Sequence, residues 1–225
     1  MKTVLHNNND LTYIFSSLVL LLILVPIGHT NEYLRYLINI IFTFMIVEIM
    51  YHNILKKTVT KILVIIASSS VVLLWISSFY SEPEADIIYA FSHLLFYIYL
   101  SYVLTHRVLE SKVFNNNTIL GSLSIYISVA FGWGYLFAIV KIVDPTSFGS
   151  AYAIGDAQAI ESMIYFSFIS ITTLGYGDIY PTSPIAGSFV ILEVMFGQIF
   201  FAVVIAKIVS LSLISHLNRS VKKVE

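Results

Sequence analysis

Thr172-Thr173-Leu174-Gly175-Tyr176-Gly177-Asp178 is the stretch on which the reading of this chain turns. A residue with a Cβ is largely confined to negative φ, whereas glycine enters the left-handed region freely. Glycines at alternate positions, Gly175 and Gly177, therefore let successive main-chain carbonyls face one way beside Leu174 and Tyr176. The Thr173 hydroxyl adds a further oxygen at one end of that row. A row of this kind replaces the hydration shell of a cation stripped of water, so the stretch reads as a dehydrated cation path.

Composition sets the surroundings of that path. Of 225 residues, 58% are hydrophobic and 11% charged, with a mean hydropathy of +0.86. A soluble domain keeps roughly a quarter of its residues charged, so this is a chain for a bilayer. The net charge of -1 argues against a nucleic-acid partner, and the absence of cysteine excludes disulfides, thiolate metal sites and cysteine nucleophiles. No nucleotide-binding loop, metal-ligand cluster or nucleophile paired with a base is apparent, so an enzyme is not expected and no cofactor is implied.

Crossing a hydrocarbon core of roughly 30 Å takes about 20 apolar residues in a helix. Six stretches qualify: about Leu11 to Gly28, Tyr33 to Tyr51, Ile62 to Tyr80, Asp86 to Thr105, Thr118 to Val143, and Pro184 to Ile214. Polar or turn-forming runs separate them, such as Gly28-His29-Thr30-Asn31-Glu32 and Asn115-Asn116-Asn117. With the N-terminus inside, Lys2, Lys56, Lys57, Lys61, Arg107, Lys112, Arg219, Lys222 and Lys223 fall on the cytoplasmic side, as the positive-inside rule requires. Both termini are then cytoplasmic, the acidic linker Glu82, Glu84 and Asp86 is external, and a multi-pass protein of the cell membrane is expected. Between the fifth and sixth stretches, Asp144 to Asp156 reads as an outer loop. Ala157 to Thr172 reads as a re-entrant helix with Asp156 as its N-cap.

Set between two apolar helices, the opening run matches the selectivity-filter signature of potassium channels, Thr-Thr-x-Gly-Tyr-Gly-Asp, with Leu174 in the variable place. From the fifth helix to about Ser215 the chain resembles the tetrameric pore-loop superfamily, in its bacterial type with six transmembrane helices and no voltage-sensor charges. The fold class this implies is an all-α integral membrane protein, with a re-entrant pore helix and filter between helices five and six. One filter copy supplies one strand of the carbonyl ring, so a symmetric homotetramer is expected, each chain partnered by three further copies. The expected organisation is an N-terminal tail over 1–10, a peripheral four-helix module over 11–112, a pore domain over 113–215, and a short basic tail over 216–225.

The resemblance implies potassium binding at Thr173, Leu174, Gly175 and Tyr176, with Gly177 completing the filter and Thr172 and Asp178 supporting it. In the family the carboxylate at the Asp178 position is tied to a pore-helix aromatic, here Tyr165, where many relatives carry tryptophan. Some bacterial relatives also keep a pore-helix glutamate behind the filter, and Ile169 stands at that position. Gly197 falls where related pores have a hinge glycine, and reads equally as a small residue for close packing. By resemblance and helical period, Gln198, Phe201, Ile205 and Val209 line the cavity and inner mouth, with Phe201 or Val209 as a hydrophobic constriction.

Two carboxylates fall within membrane helices. Glu193, one turn before Gly197, is expected to meet the Thr172 hydroxyl as a link between helices. Glu48 is expected in a structural ion pair, with His52, Lys61, His106 and Arg107 within reach of its depth, and His93 as a satisfied core residue. The fourth helix, Ile87 to Thr105, has no lysine or arginine, whereas steep voltage gating moves roughly 3 to 4 charges per subunit. Arg219, Lys222 and Lys223 suit anionic lipid headgroups. The function expected is passive, potassium-selective conduction without conventional voltage gating. The alternative is a membrane sensor or accessory subunit whose four-helix module binds a lipid or small ligand.

Overall fold

Backbone N–H and C=O groups within hydrocarbon must find partners inside the protein, which makes helices the economical form for so apolar a chain. The structure, a computed structural model, describes residues 10–30, 32–51, 68, 69, 72, 83–110, 116–151 and 159–221. Helix α1 runs over Asp10–Leu24 and gives way to a 3-10 segment, Val25–Thr30, at Pro26, which has no N–H to continue the α-helical hydrogen bonds. Helices α2 (Glu32–Tyr51), α3 (Pro83–Glu110) and α4 (Asn116–Val143) follow. The short apolar helix α5 spans Ala159–Ile171 and the last helix, α6, spans Pro184–Val221. Pro184 sits in the first turn of α6, where its missing N–H costs nothing, and Ser183 caps that end by accepting the Ala186 N–H at 3.2 Å.

Among the described residues, three helical stretches are long and apolar enough to cross a membrane: Asp86–Glu110, Asn117–Val143 and Pro184–Lys207. Leu11–Ile27, Tyr36–Val47 and Ala159–Ile171 are shorter apolar helices. The third expected span, Ile62 to Tyr80, lies outside the described residues apart from 68, 69 and 72, and Asp156 lies outside them as well. The chain is mostly helical, with one short ladder beside the helices. Strands β1 (Phe148–Ser150) and β2 (Ile179–Pro181) pair antiparallel, Phe148 opposite Pro181 and Ser150 opposite Ile179, on the two sides of the re-entrant segment.

The most extensive packing is α3 along α4, where aromatic side chains interlock. Tyr97 of α3 stacks on Phe131 and Tyr135 of α4, at centroid distances of 4.9 and 5.7 Å. Helix α1 adds Ile14, Leu18 and Leu21 to the same core, against α4 and α2. A second cluster secures the outer end of α5: Phe137, Phe148 and Phe166 meet edge to face at 5.6, 5.5 and 5.4 Å. Serines in the apolar α4 return their hydroxyls to the helix itself, Ser124 to Leu120 O at 2.8 Å and Ser128 to Ser124 O at 2.7 Å. Polar side chains are thereby carried through the helix without an unmet donor.

His93 is fully buried among Phe42, Tyr89 and Tyr135. Its Nδ1 lies 3.0 Å from Tyr89 O and must donate, since a carbonyl cannot; Nε2 has no partner, so the expected core histidine is satisfied on one side only. The Glu48 side chain, His52 and Lys61 lie outside the described residues, and His106 pairs along α3 with Glu110 at 3.3 Å. Lys207 of α6 donates to Val108 O at 2.6 Å, reaching the last-turn carbonyls of α3. A cation there meets the partially negative helix end favourably.

Candidate functional site

Helix α5 stops where Thr173 enters the left-handed region, with φ +58°. A β-branched residue resists that conformation, at a cost on the order of 1–3 kcal/mol, and keeps it only where its surroundings over-determine it. They do so here through hydrogen bonds. Thr173 N–H donates to Ser170 O at 2.9 Å, and Ile169 O accepts the N–H groups of Leu174 and Gly175 at 2.9 and 3.3 Å. Thr172 donates from Oγ1 to Phe168 O at 2.6 Å, and Tyr126 of α4 donates its hydroxyl to Ile171 O at 2.9 Å. The four carbonyls that end a helix without intrahelical partners are thus all engaged, so local donors blunt the negative end of α5.

From Thr173 the backbone alternates. Gly175 and Gly177 also have positive φ, +55° and +76°, and among the described residues no other position does. The period of two expected from the glycines therefore begins one step earlier, at a threonine. Leu174 and Tyr176 are 56% and 67% exposed, and among the described residues nothing beyond the adjoining ones lies within 4 Å of a Cβ placed on either glycine. This face of the segment is left to open space or to another copy.

Asp178 fixes the outer end of the segment. The Tyr165 hydroxyl donates to its Oδ2 at 2.8 Å, its Oδ1 accepts the Ile179 N–H at 3.1 Å, and its carbonyl accepts the Ala151 N–H at 2.8 Å. The last bond extends the β1–β2 ladder to the residue that closes the motif. Beyond the ladder, Lys141 donates to Phe148 O at 2.8 Å and to Pro145 O, closing the loop that follows α4. There the Thr146 hydroxyl and N–H hold the Asp144 carboxyl below its usual range, so it stays ionised. A Tyr165→Phe variant keeps the ring and deletes one donor to a carboxylate. It should destabilise the protein by about 2 kcal/mol, read as a lower thermal midpoint.

Gly197 is buried where α6 crosses the end of α5. A Cβ there would sit 2.6 Å from Ile171 Cγ1 and 2.9 Å from Ile171 O. Helix α6 runs through this position without interruption, so close approach accounts for the glycine. Gly134 does the same from the other side, where a Cβ would lie 2.7 Å from Ile164 Cα. Helix α5 is held between two glycine notches. Gln198, Phe201, Ile205 and Val209 are exposed and recur at spacings that place them on one stripe of α6.

Glu193 is the expectation the structure redirects. Its Oε1 lies 2.5 Å from Ser167 Oγ, while Thr172 Oγ1 turns back to its own helix. Ser167 is one turn N-terminal of the predicted contact, at the level where α4, α5 and α6 meet. Its Oγ also lies 2.7 Å from Ala130 O of α4. Sequence reasoning passed over Ser167, Tyr126 and Lys207, since a lone serine or tyrosine in an apolar helix carries no pattern. An intramembrane lysine is the one signal that was available.

Residues 125–212 match the model of a family described as ion channel. The match runs from within α4 through α5 and the Thr172–Asp178 segment into α6, so this part of the chain is similar to an ion-channel domain. No curated protein and no solved structure matches the chain.

Proposed function

We propose, from an ion-channel domain as the premise, that the chain is one of four identical subunits of a potassium-selective channel. Potassium sheds its water at Thr173, passes the carbonyls of Thr173, Leu174, Gly175 and Tyr176, and moves as neighbouring ions displace one another. The observation that carries this reading is the left-handed backbone at every second residue, Thr173, Gly175 and Gly177. That alternation is what a single file of carbonyls requires, and it serves no packing purpose in the chain itself. The tetramer accounts for the exposure of α6, of whose membrane-length window only 11% is buried within one chain. Six crossings with both termini on the cytoplasmic side of the plasma membrane follow from the charge distribution, and anionic lipid is the fitting company for Arg219, Lys222 and Lys223. With no lysine or arginine between Ile87 and Thr105, gating is not by a conventional voltage sensor.

The test is ion flux into liposomes containing only this protein, with sodium as the competitor. Potassium-selective flux that barium blocks and Gly175→Asp abolishes is the expected result. Flux with no preference for potassium would overturn the filter assignment, and silence across pH and lipid composition would shift the reading to an accessory subunit.

A further inference from the structure

Ser167 has one hydroxyl hydrogen and two close oxygens, Glu193 Oε1 at 2.5 Å and Ala130 O at 2.7 Å. A backbone carbonyl has no hydrogen to give, so the contact with Ala130 is a hydrogen bond only if Ser167 donates to it. The hydrogen in the Glu193 contact must then come from Glu193. Were the carboxylate ionised, Ser167 would donate to it and leave two bare oxygens facing each other across 2.7 Å within a buried helix junction. We infer that Glu193 is a carboxylic acid that donates from Oε1 to Ser167 Oγ, which donates in turn to Ala130 O, a relay of two hydrogen bonds joining α6, α5 and α4.

The surroundings agree. Glu193 is fully buried, and its Oε2 has no partner. An unpaired carbonyl oxygen of a neutral acid is far less costly to bury than an unpaired carboxylate oxygen. Among the described residues no lysine, arginine or histidine lies within ion-pair distance of it. Tyr126, the titratable α4 residue whose field it shares, has its hydroxyl committed to Ile171 O. The relay reaches α4 at Ala130, one turn from the Gly134 notch, and leaves α6 at Glu193, one turn from the Gly197 notch. Both ends therefore stand beside a close backbone approach to α5. Glu193 is a positioning residue: its proton holds the three helices at the spacing from which the filter segment hangs. That role rests on the pore reading above, whereas the proton itself does not.

The experiment is infrared spectroscopy of the liposome-reconstituted protein at neutral pH, comparing wild type with Glu193→Gln, alongside potassium flux from the same samples. The expected spectrum shows a protonated-carboxyl stretch in the wild type that disappears in the variant. Carboxylate bands lost in its place would overturn the inference whatever the flux. The Gln variant offers an amide N–H to Ser167, so it should assemble and conduct as the wild type does, whereas Glu193→Ala should lose flux. A Gln variant that assembles yet is silent while the wild type conducts would overturn the positioning role. Absence of flux in both, with the protonated band present, would count against the channel reading and leave the proton in place.

Discussion

Gly175→Ala should abolish potassium-selective flux without dissociating the assembled protein. A methyl group at Gly175 meets nothing within 4 Å among the described residues, so its penalty is not a clash. The φ of +55° carries the cost. An L-residue pays roughly 1–2 kcal/mol in that region, and the proposed ring of four identical strands would pay it four times over. The cheapest escape is rotation of the adjoining peptide plane into a negative-φ conformation, which takes a carbonyl out of the file. Flux should fall to background while size-exclusion and thermal profiles stay close to those of the wild type. Retained, selective flux would mean that the alternation is not what binds the ion.

The second large effect is expected at Gly197, with stability as the quantity that falls. An alanine Cβ there would press on the Ile171 side chain, which can shift, and on Ile171 O, which cannot without moving the end of α5. Overpacking of this kind typically costs 1–3 kcal/mol per site, against a gain of up to about 1 kcal/mol from replacing a mid-helix glycine. Gly187, also in α6, has open space around its Cβ position and supplies the control. Gly187→Ala should hold or raise the thermal midpoint, whereas Gly197→Ala should lower it and reduce flux, with partial rescue by Ile171→Ala. A hinge role for Gly197 predicts the reverse for stability, since alanine would only stiffen the helix.

The parts of the site legible in the sequence are those whose chemistry is local. Gly175 and Gly177 declare their backbone by type, and the flanking apolar runs declare their helices by length. The Tyr165 to Asp178 contact was available only through resemblance, because the two stand thirteen positions apart across a helix end and an irregular segment. Thr173 hid its positive φ behind a side chain that argues against it. The β1–β2 ladder was illegible for a different reason: Phe148-Gly149-Ser150 and Ile179-Tyr180-Pro181 are too short to display a period, and Pro181 speaks against a strand. Glu193 was seen as a carboxylate in need of a partner, but the partner depended on how α5 is rotated against α6. That rotation is set by Gly134 and Gly197, residues that mark an approach without naming what approaches.

Lys207 and Gly197 give α6 the mechanics of a loaded lever. One neighbour's backbone holds the helix at each point: Ile171 O lies under Gly197, and Val108 O grips Lys207. Ten residues of helix, about 15 Å, separate fulcrum from handle. Among the described residues, the Lys207 bond to Val108 O is a hydrogen bond that ties α6 to α3. Any swing of α6 about the upper point has to stretch or release the lower one, and the stripe of Gln198, Phe201 and Ile205 moves along the arc between them. A displacement of the C-terminal end of α3 would thus bear on the last helix through the Val108 carbonyl, with no charge on α3 needed.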